Sequence, residues 1–181
     1  MKTSLNLVVD AMEGLREHHS ARFPAFSTLQ AFLEMRSRIQ VEILAIDCVA
    51  PINARVKNYV RNRQTSWHSV QETVTLNGAI QHSELSRPLQ DLELLWKMLF
   101  CIETSTANHT NLSNNSHRTA GILYNFELRP GVLGIVPKVY IPVRHYLDSD
   151  SVIVQRVGTF LHHRNSYRFF DSYSEALPDI L

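Results

Sequence analysis

Two strand-like runs constrain this chain more than anything else in it. Arg55-Val56-Lys57-Asn58-Tyr59 and Lys138-Val139-Tyr140 each place a lysine two residues before a tyrosine. Side chains alternate faces along a strand, so Arg55, Lys57 and Tyr59 share one face, and Lys138 shares one with Tyr140. The residue numbers differ by 81 in both pairs, from 57 to 138 and from 59 to 140. The chain therefore reads as a unit used twice, each copy showing a cation and an aromatic ring on one sheet face. Such a face suits a ligand that is anionic at one end and takes to π-electrons at the other, as an allylic diphosphate does.

The hydrophobic pattern predicts the elements around these runs. Residues 4–17 carry Leu7, Val8, Ala11 and Leu15 on one helical stripe. After Pro24, Ser27 or Thr28 is placed to cap a second helix with Leu29, Phe32, Leu33 and Met35. Strands are expected over Ile39–Val49, closed by Pro51, and over Ala54–Arg61. Ser66 opens a helix that ends near Asn77-Gly78, and Pro88 starts a helix with the stripe Leu89, Leu92, Leu95, Trp96, Leu99. Residues 103–119 form a polar, exposed loop. Gly121–Leu128 and Val136–Val143 are strands joined by Arg129-Pro130-Gly131. Ser149 or Ser151 opens another helix, and Ser172–Leu181 begins a last one. The order is helix, strand, strand, helix, twice, with units of about 26–80 and 88–165 in one partial domain, 1–181. Strands joined by short turns are antiparallel. Helices on one face and a polar face on the other predict an α+β fold, a sheet curved around a ligand-bearing interior.

Bulk properties bound the function. A net charge of +1 gives no global basic field, so an anion site must be local. No apolar run spans a bilayer, and the N-terminal apolar stretch is short and broken by Asp10, unlike a secretory signal. A cytoplasmic chain without a membrane partner is expected. Cys48 and Cys101 lack metal spacing and read as reduced core thiols. Three Asn-x-Ser/Thr triplets begin at Asn108, Asn111 and Asn114 and read simply as loop polarity. Asp148-Ser149-Asp150 is the nearest approach to an acidic metal cluster and reads as a helix cap, so no metal site is expected.

The motifs resemble one family. Asp47-Cys-Val-Ala-Pro51, Arg55-Val-Lys57-Asn-Tyr59-Val-Arg61, Thr73-Val-Thr-Leu-Asn-Gly78 and Pro137-Lys138-Val-Tyr140-Ile-Pro-Val-Arg-His-Tyr146 are similar to the fungal aromatic prenyltransferases of the dimethylallyltryptophan synthase type. The last run is specific; Arg-x-Lys-x-Tyr alone is weak. The resemblance implies a barrel of antiparallel strands, built from α-β-β-α units and surrounded by helices. It implies transfer of a dimethylallyl group from dimethylallyl diphosphate to a small aromatic acceptor, an indole or tryptophan, in alkaloid secondary metabolism. Arg55, Lys57 and Lys138 would hold the diphosphate; Tyr59 and Tyr140 would shield the allylic cation. No cofactor is required under this reading.

The resemblance runs from about Ile39 to the C-terminus, and family members are much longer. It therefore implies a fragment truncated at both ends, an unclosed barrel of about four strands that is poorly active or inactive alone. An inactive truncated paralogue or interaction fragment is the alternative, and self-association into an oligomer would complete a barrel. The mixture of basic and aromatic residues from Arg55 to Arg63 also matches single-stranded nucleic-acid binders, but the neutral charge and the lack of a second aromatic platform favour no nucleic-acid partner. Arg61 and Arg63 read as surface charges, Glu42 as a solvated or structural carboxylate, and Arg144 shares the parity of Lys138 and Tyr140.

Overall fold

The computed structural model describes residues 3–19, 22–50, 52–80, 82–102, 108–113, 116–168 and 170–172. Their elements run α1 (Ser4–His19), α2 (Phe26–Glu34), β1 (Ile39–Ile46), β2 (Val56–Asn62), α3 (Trp67–Val74), α4 (His82–Phe100), β3 (Ile122–Leu128), β4 (Val136–Tyr140) and α5 (Asp150–His163). Every strand pairs antiparallel with its neighbours in chain order, β1-β2-β3-β4, giving an open four-stranded sheet. The expected last helix lies outside the described residues from 173 onward.

Strand alternation builds the core. Val56 and Val60 of β2 and Ile122, Tyr124, Phe126 and Leu128 of β3 point to one face and are fully buried. Helical stripes close over them: Leu29, Phe32 and Leu33 from α2, Trp67, Val70 and Val74 from α3, and Leu89 and Trp96 from α4. A sheet covered by helices on one side leaves its other side to a partner or ligand. The polar residue Asn62 enters the covered side because its amide nitrogen donates to Ser69 Oγ at 3.0 Å and Thr73 Oγ1 at 3.2 Å.

Capping chemistry sets the helix starts. Ser66 and Ser149 accept from the backbone N–H groups of Ser69 and Val152, as a serine at an N-cap should. The left-handed Leu76, Asn77 and Gly78 end the α3 region near the expected Asn77-Gly78. Gly121 has φ +89°, and a Cβ there would lie 2.7 Å from the Asn62 carbonyl oxygen, so only glycine fits this approach of β3 to β2.

Four expectations are corrected. Neither Ser27 nor Thr28 caps α2: the cap is Ala25, without a side-chain bond, and Ser27 Oγ donates instead to the Pro24 carbonyl. Pro88 lies inside α4, since Leu85 packs on the core and carries the helix back past it. β4 stops at Tyr140, and a 3-10 turn over Val143–His145 destroys the parity that linked Arg144 to Lys138. Cys48 and Cys101 are exposed thiols rather than core ones; Cys48 follows β1 in an outward loop, and Cys101 sits at φ +52° just past α4. The described part of the polar loop is held near α3 by Asn111, whose Oδ1 accepts from the Thr65 and Ser66 N–H groups at 2.7 and 3.0 Å.

Candidate active-site face

The uncovered side of the sheet gathers Arg55, Lys57, Tyr59 and Arg61 from β2 and its approach, Leu123, Asn125 and Glu127 from β3, and Val136, Lys138 and Tyr140 from β4. Paired residues in antiparallel strands share a face, and the register pairs Lys57 with Glu127, Tyr59 with Asn125, and Asn125 in turn with Lys138. β2 and β4 both pair with β3 and so run in the same direction. Each Lys-x-Tyr therefore points the same way, but with a stagger: Lys138 is level with Tyr59, and Tyr140 with Arg61. The stagger lets the two tyrosines meet. Their ring centroids are 6.2 Å apart and tilted by 39°, well inside the roughly 10 Å that separates next-but-one strands. The rings converge above β3.

The cations form a chain with two carboxylates. Lys57 Nζ donates to Asp47 Oδ1 at 2.7 Å, and Arg55 Nε donates to Asp47 Oδ2 at 2.6 Å. Arg55 Nη1 then reaches Glu127 Oε2 at 3.5 Å, the same oxygen that accepts from Lys138 Nζ at 3.3 Å. Arg129 closes the row on Glu127 Oε1 with bonds of 3.2 and 3.0 Å. Burial alone would raise the Glu127 carboxyl, but the bonds from Arg129 and Lys138 and the charges of Lys138 and Arg55 carry it below its usual value. Arg55 and Lys138 are 40% and 48% exposed, so water screens their pairs with Glu127 and these add little to stability. The row is better understood as an arrangement of donors than as a structural staple.

Asp47 is held lower still. The hydrogen bond from Lys57, then that from Arg55, bring its carboxyl down to about 2. A depressed folded-state value means the pairing is fully present above the ordinary 3.8 and is lost as pH falls through about 2. A carboxyl-carbon NMR titration of the folded chain is expected to show Asp47 with a midpoint near 2; a midpoint near 3.8 would mean the pairs are not formed in solution.

Sequence reasoning placed Arg55, Lys57, Tyr59, Lys138 and Tyr140 on this face, and the structure brings all five together. It missed Asp47 as a partner, although the motif contained it, and missed Glu127 and Asn125 altogether. The signal was available: Leu123, Asn125 and Glu127 alternate with four apolar residues, and a carboxylate at such a position belongs to the side facing away from the core. Asn125 is 1% exposed, lies between Tyr59 and Lys138 in the register, and its Oδ1 has no hydrogen-bond partner among the described residues.

Arg61 corrects an expectation. It is buried, not a surface charge. Its Nε and Nη2 donate to the two oxygens of Glu42 at 2.5 and 2.9 Å, and its Nη1 donates to the Thr119 carbonyl at 2.9 Å. A register irregularity between Val41 and Ile43 makes Glu42 the extra residue of a β-bulge, and its carboxylate reaches Arg61. Arg63 likewise donates to the carbonyls of His117 and Arg118. Among the described residues no group of three or more His, Cys, Asp or Glu side chains is arranged to hold a metal, and no helix is long and apolar enough to cross a membrane.

An open antiparallel sheet with helices packed on one side matches part of the prenyltransferase barrel fold. The structure superposes on AnaPT from Neosartorya fischeri with a TM-score of 0.74 and 21% identity, covering 96% of this chain and 39% of that one. NotF, solved in complex with brevianamide F and DMSPP, gives a TM-score of 0.70 at 21% identity, with coverage of 96% and 40%. A 7-dimethylallyltryptophan synthase of Aspergillus fumigatus is 37% identical over 157 residues, 86% of this chain and 33% of the relative. A 4-O-dimethylallyl-L-tyrosine synthase of Claviceps purpurea is 37% identical over 168 residues, 90% of this chain and 37% of the relative. The tryptophan dimethylallyltransferase family matches residues 1–176, and the chain belongs to that family. It spans about a third of the length of these curated relatives.

Proposed function

We propose that the uncovered sheet face binds dimethylallyl diphosphate and serves transfer of its dimethylallyl group to an indole or tryptophan-type acceptor. The observation that carries this reading is the convergence of Tyr59 and Tyr140 at 6.2 Å beside the cations Arg55, Lys57 and Lys138. Ionisation of the allylic C–O bond leaves negative charge on the diphosphate, where these cations are placed to stabilise it. It leaves an allylic cation that each tyrosine face stabilises by about 1–2 kcal/mol once water is excluded. The aromatic acceptor attacks the cation, and loss of the ring proton to a base restores aromaticity. Ile43, level with Tyr59 on β1, and Val136 on β4 leave apolar surface on the same face for the hydrocarbon.

Lysine and arginine supply the positive charge at this face, which supports a reading without a required metal. The names of the two relatives divide between tryptophan and tyrosine as acceptor, and the face described here chooses the donor rather than the acceptor. A basic strip for nucleic acid finds less support, because Arg61 and Arg63 are bonded to protein oxygens.

The test is a titration of the purified chain with a non-hydrolysable dimethylallyl diphosphate analogue beside the double variant Lys57→Ala, Lys138→Ala. Loss of two charge-assisted contacts is expected to weaken binding about a hundredfold. Equal binding by a folded double variant would place the diphosphate elsewhere. Turnover with tryptophan and with tyrosine, assayed on the same preparation, then separates the acceptors; binding without turnover of either would mark this chain as a donor-binding piece that is inactive alone.

A further inference from the structure

We infer that Asp47 is an exchangeable counter-anion built into the cation row, a carboxylate that an incoming diphosphate displaces from Arg55 and Lys57. The inference rests on the diphosphate reading above and deepens it. Asp47 holds two of the three cations proposed for the ligand through one short bond to each, at 2.6 and 2.7 Å. An anion entering this face meets donors that already have a partner. It must either share them or replace the carboxylate, and a diphosphate, with more charge and more oxygens, replaces it favourably.

The two carboxylates of the row differ in how readily they can yield. Glu127 lies within β3, is 3% exposed and accepts from Arg55, Arg129 and Lys138. Moving it would leave a buried charge unpaired, so it stays and keeps Arg55 and Lys138 aimed. Asp47 follows the last residue of β1. Its backbone N–H donates to the Arg55 carbonyl at 3.1 Å, which holds the chain there without using the side chain. The loop beyond is open to water, with Val49 and Ile52 more than half exposed. Rotation of the Asp47 side chain therefore moves its carboxylate from the cations into solvent with no buried group left behind. The depressed pKa adds that the carboxylate stays ionised across the physiological range, so the competition never switches off there.

The consequence is a raised threshold for anions. Inorganic phosphate and a released diphosphate product both bind less tightly than three free cations would bind them, which eases release of the product. The probe is inorganic pyrophosphate, titrated by calorimetry at fixed ionic strength against the unaltered chain, Asp47→Asn and Asp47→Ser, with circular dichroism confirming the fold of each. Both variants are expected to bind pyrophosphate about tenfold more tightly. Equal or weaker binding by a folded variant, in a chain whose unaltered form binds, overturns the role of Asp47 and leaves the diphosphate reading standing. Failure of all three forms to bind pyrophosphate overturns both. A second readout needs no variant: saturating pyrophosphate at neutral pH is expected to shift the Asp47 carboxyl-carbon resonance, and an unmoved resonance at saturation overturns the displacement.

Discussion

Trp96→Ala is expected to destabilise the fold by about 4 kcal/mol. Trp96 is 1% exposed and sits on the core stripe of α4. Its ring lies 6.1 Å from Trp67 of α3 and 4.7 Å, edge-on, from Phe100 of its own helix. Truncation removes the largest fully buried side chain and leaves a cavity between the helices and the sheet, where the neighbouring rings are too rigid to collapse. Its indole N–H has no hydrogen-bond partner among the described residues, so Trp96→Phe removes an unmet donor along with part of the ring. Phenylalanine is therefore expected to recover most of the loss. Urea unfolding monitored by circular dichroism checks both variants through their midpoints at constant slope. A Trp96→Ala midpoint close to that of the unaltered chain would mean that α4 does not seal the core.

Arg61→Ala is expected to destabilise by about 3 kcal/mol, the low end for breaking a buried ion pair. The guanidinium is 7% exposed, whereas Glu42 is 31% exposed, so water partly compensates the carboxylate when its partner is lost. The variant also strands the Thr119 carbonyl, which accepts from Arg61 Nη1. Arg61→Lys restores the charge without the planar fork that meets both oxygens of Glu42, and is expected to recover only part of the loss. The pH dependence gives an independent check. The Arg61 hydrogen bond holds the Glu42 carboxyl below its ordinary 4.5. For a depressed acid the stabilisation is full above the unfolded value and is lost as pH falls through the folded one. The gap between Arg61→Ala and the unaltered chain should therefore be widest at neutral pH and narrow as pH falls below the ordinary 4.5. A gap that is constant between pH 7 and 3 would show that Glu42 is not the partner that matters.

These pairs illustrate what could be read from residues alone. Local patterns were enough for most elements: β-branched residues located β1, and Ser66 and Ser149 marked helix starts through hydrogen bonds that span three residues. Pro88 misled because the penalty of a proline is local, whereas the packing of Leu85 against the core is not. Arg61 misled for the same reason. Nothing near it in sequence says that a bulge at Glu42, on another strand, will bring a carboxylate to it.

The candidate site divides along the same line. Alternation with period two is a property of any strand, so the sequence alone determined that Arg55, Lys57 and Tyr59 share a face, as do Lys138 and Tyr140, and the 81-residue repeat marked the two runs as equivalent. Register is a property of pairs of strands. Only the tertiary structure decided that β2 and β4 are staggered by two residues about β3, so that Lys138 comes level with Tyr59 and the two tyrosine rings meet. The cations were legible because their neighbours in the chain announced them. Their counter-charges, Asp47 at the end of β1 and Glu127 on β3, lie 8 and 72 residues from Arg55, and only pairing of the strands carries them to it.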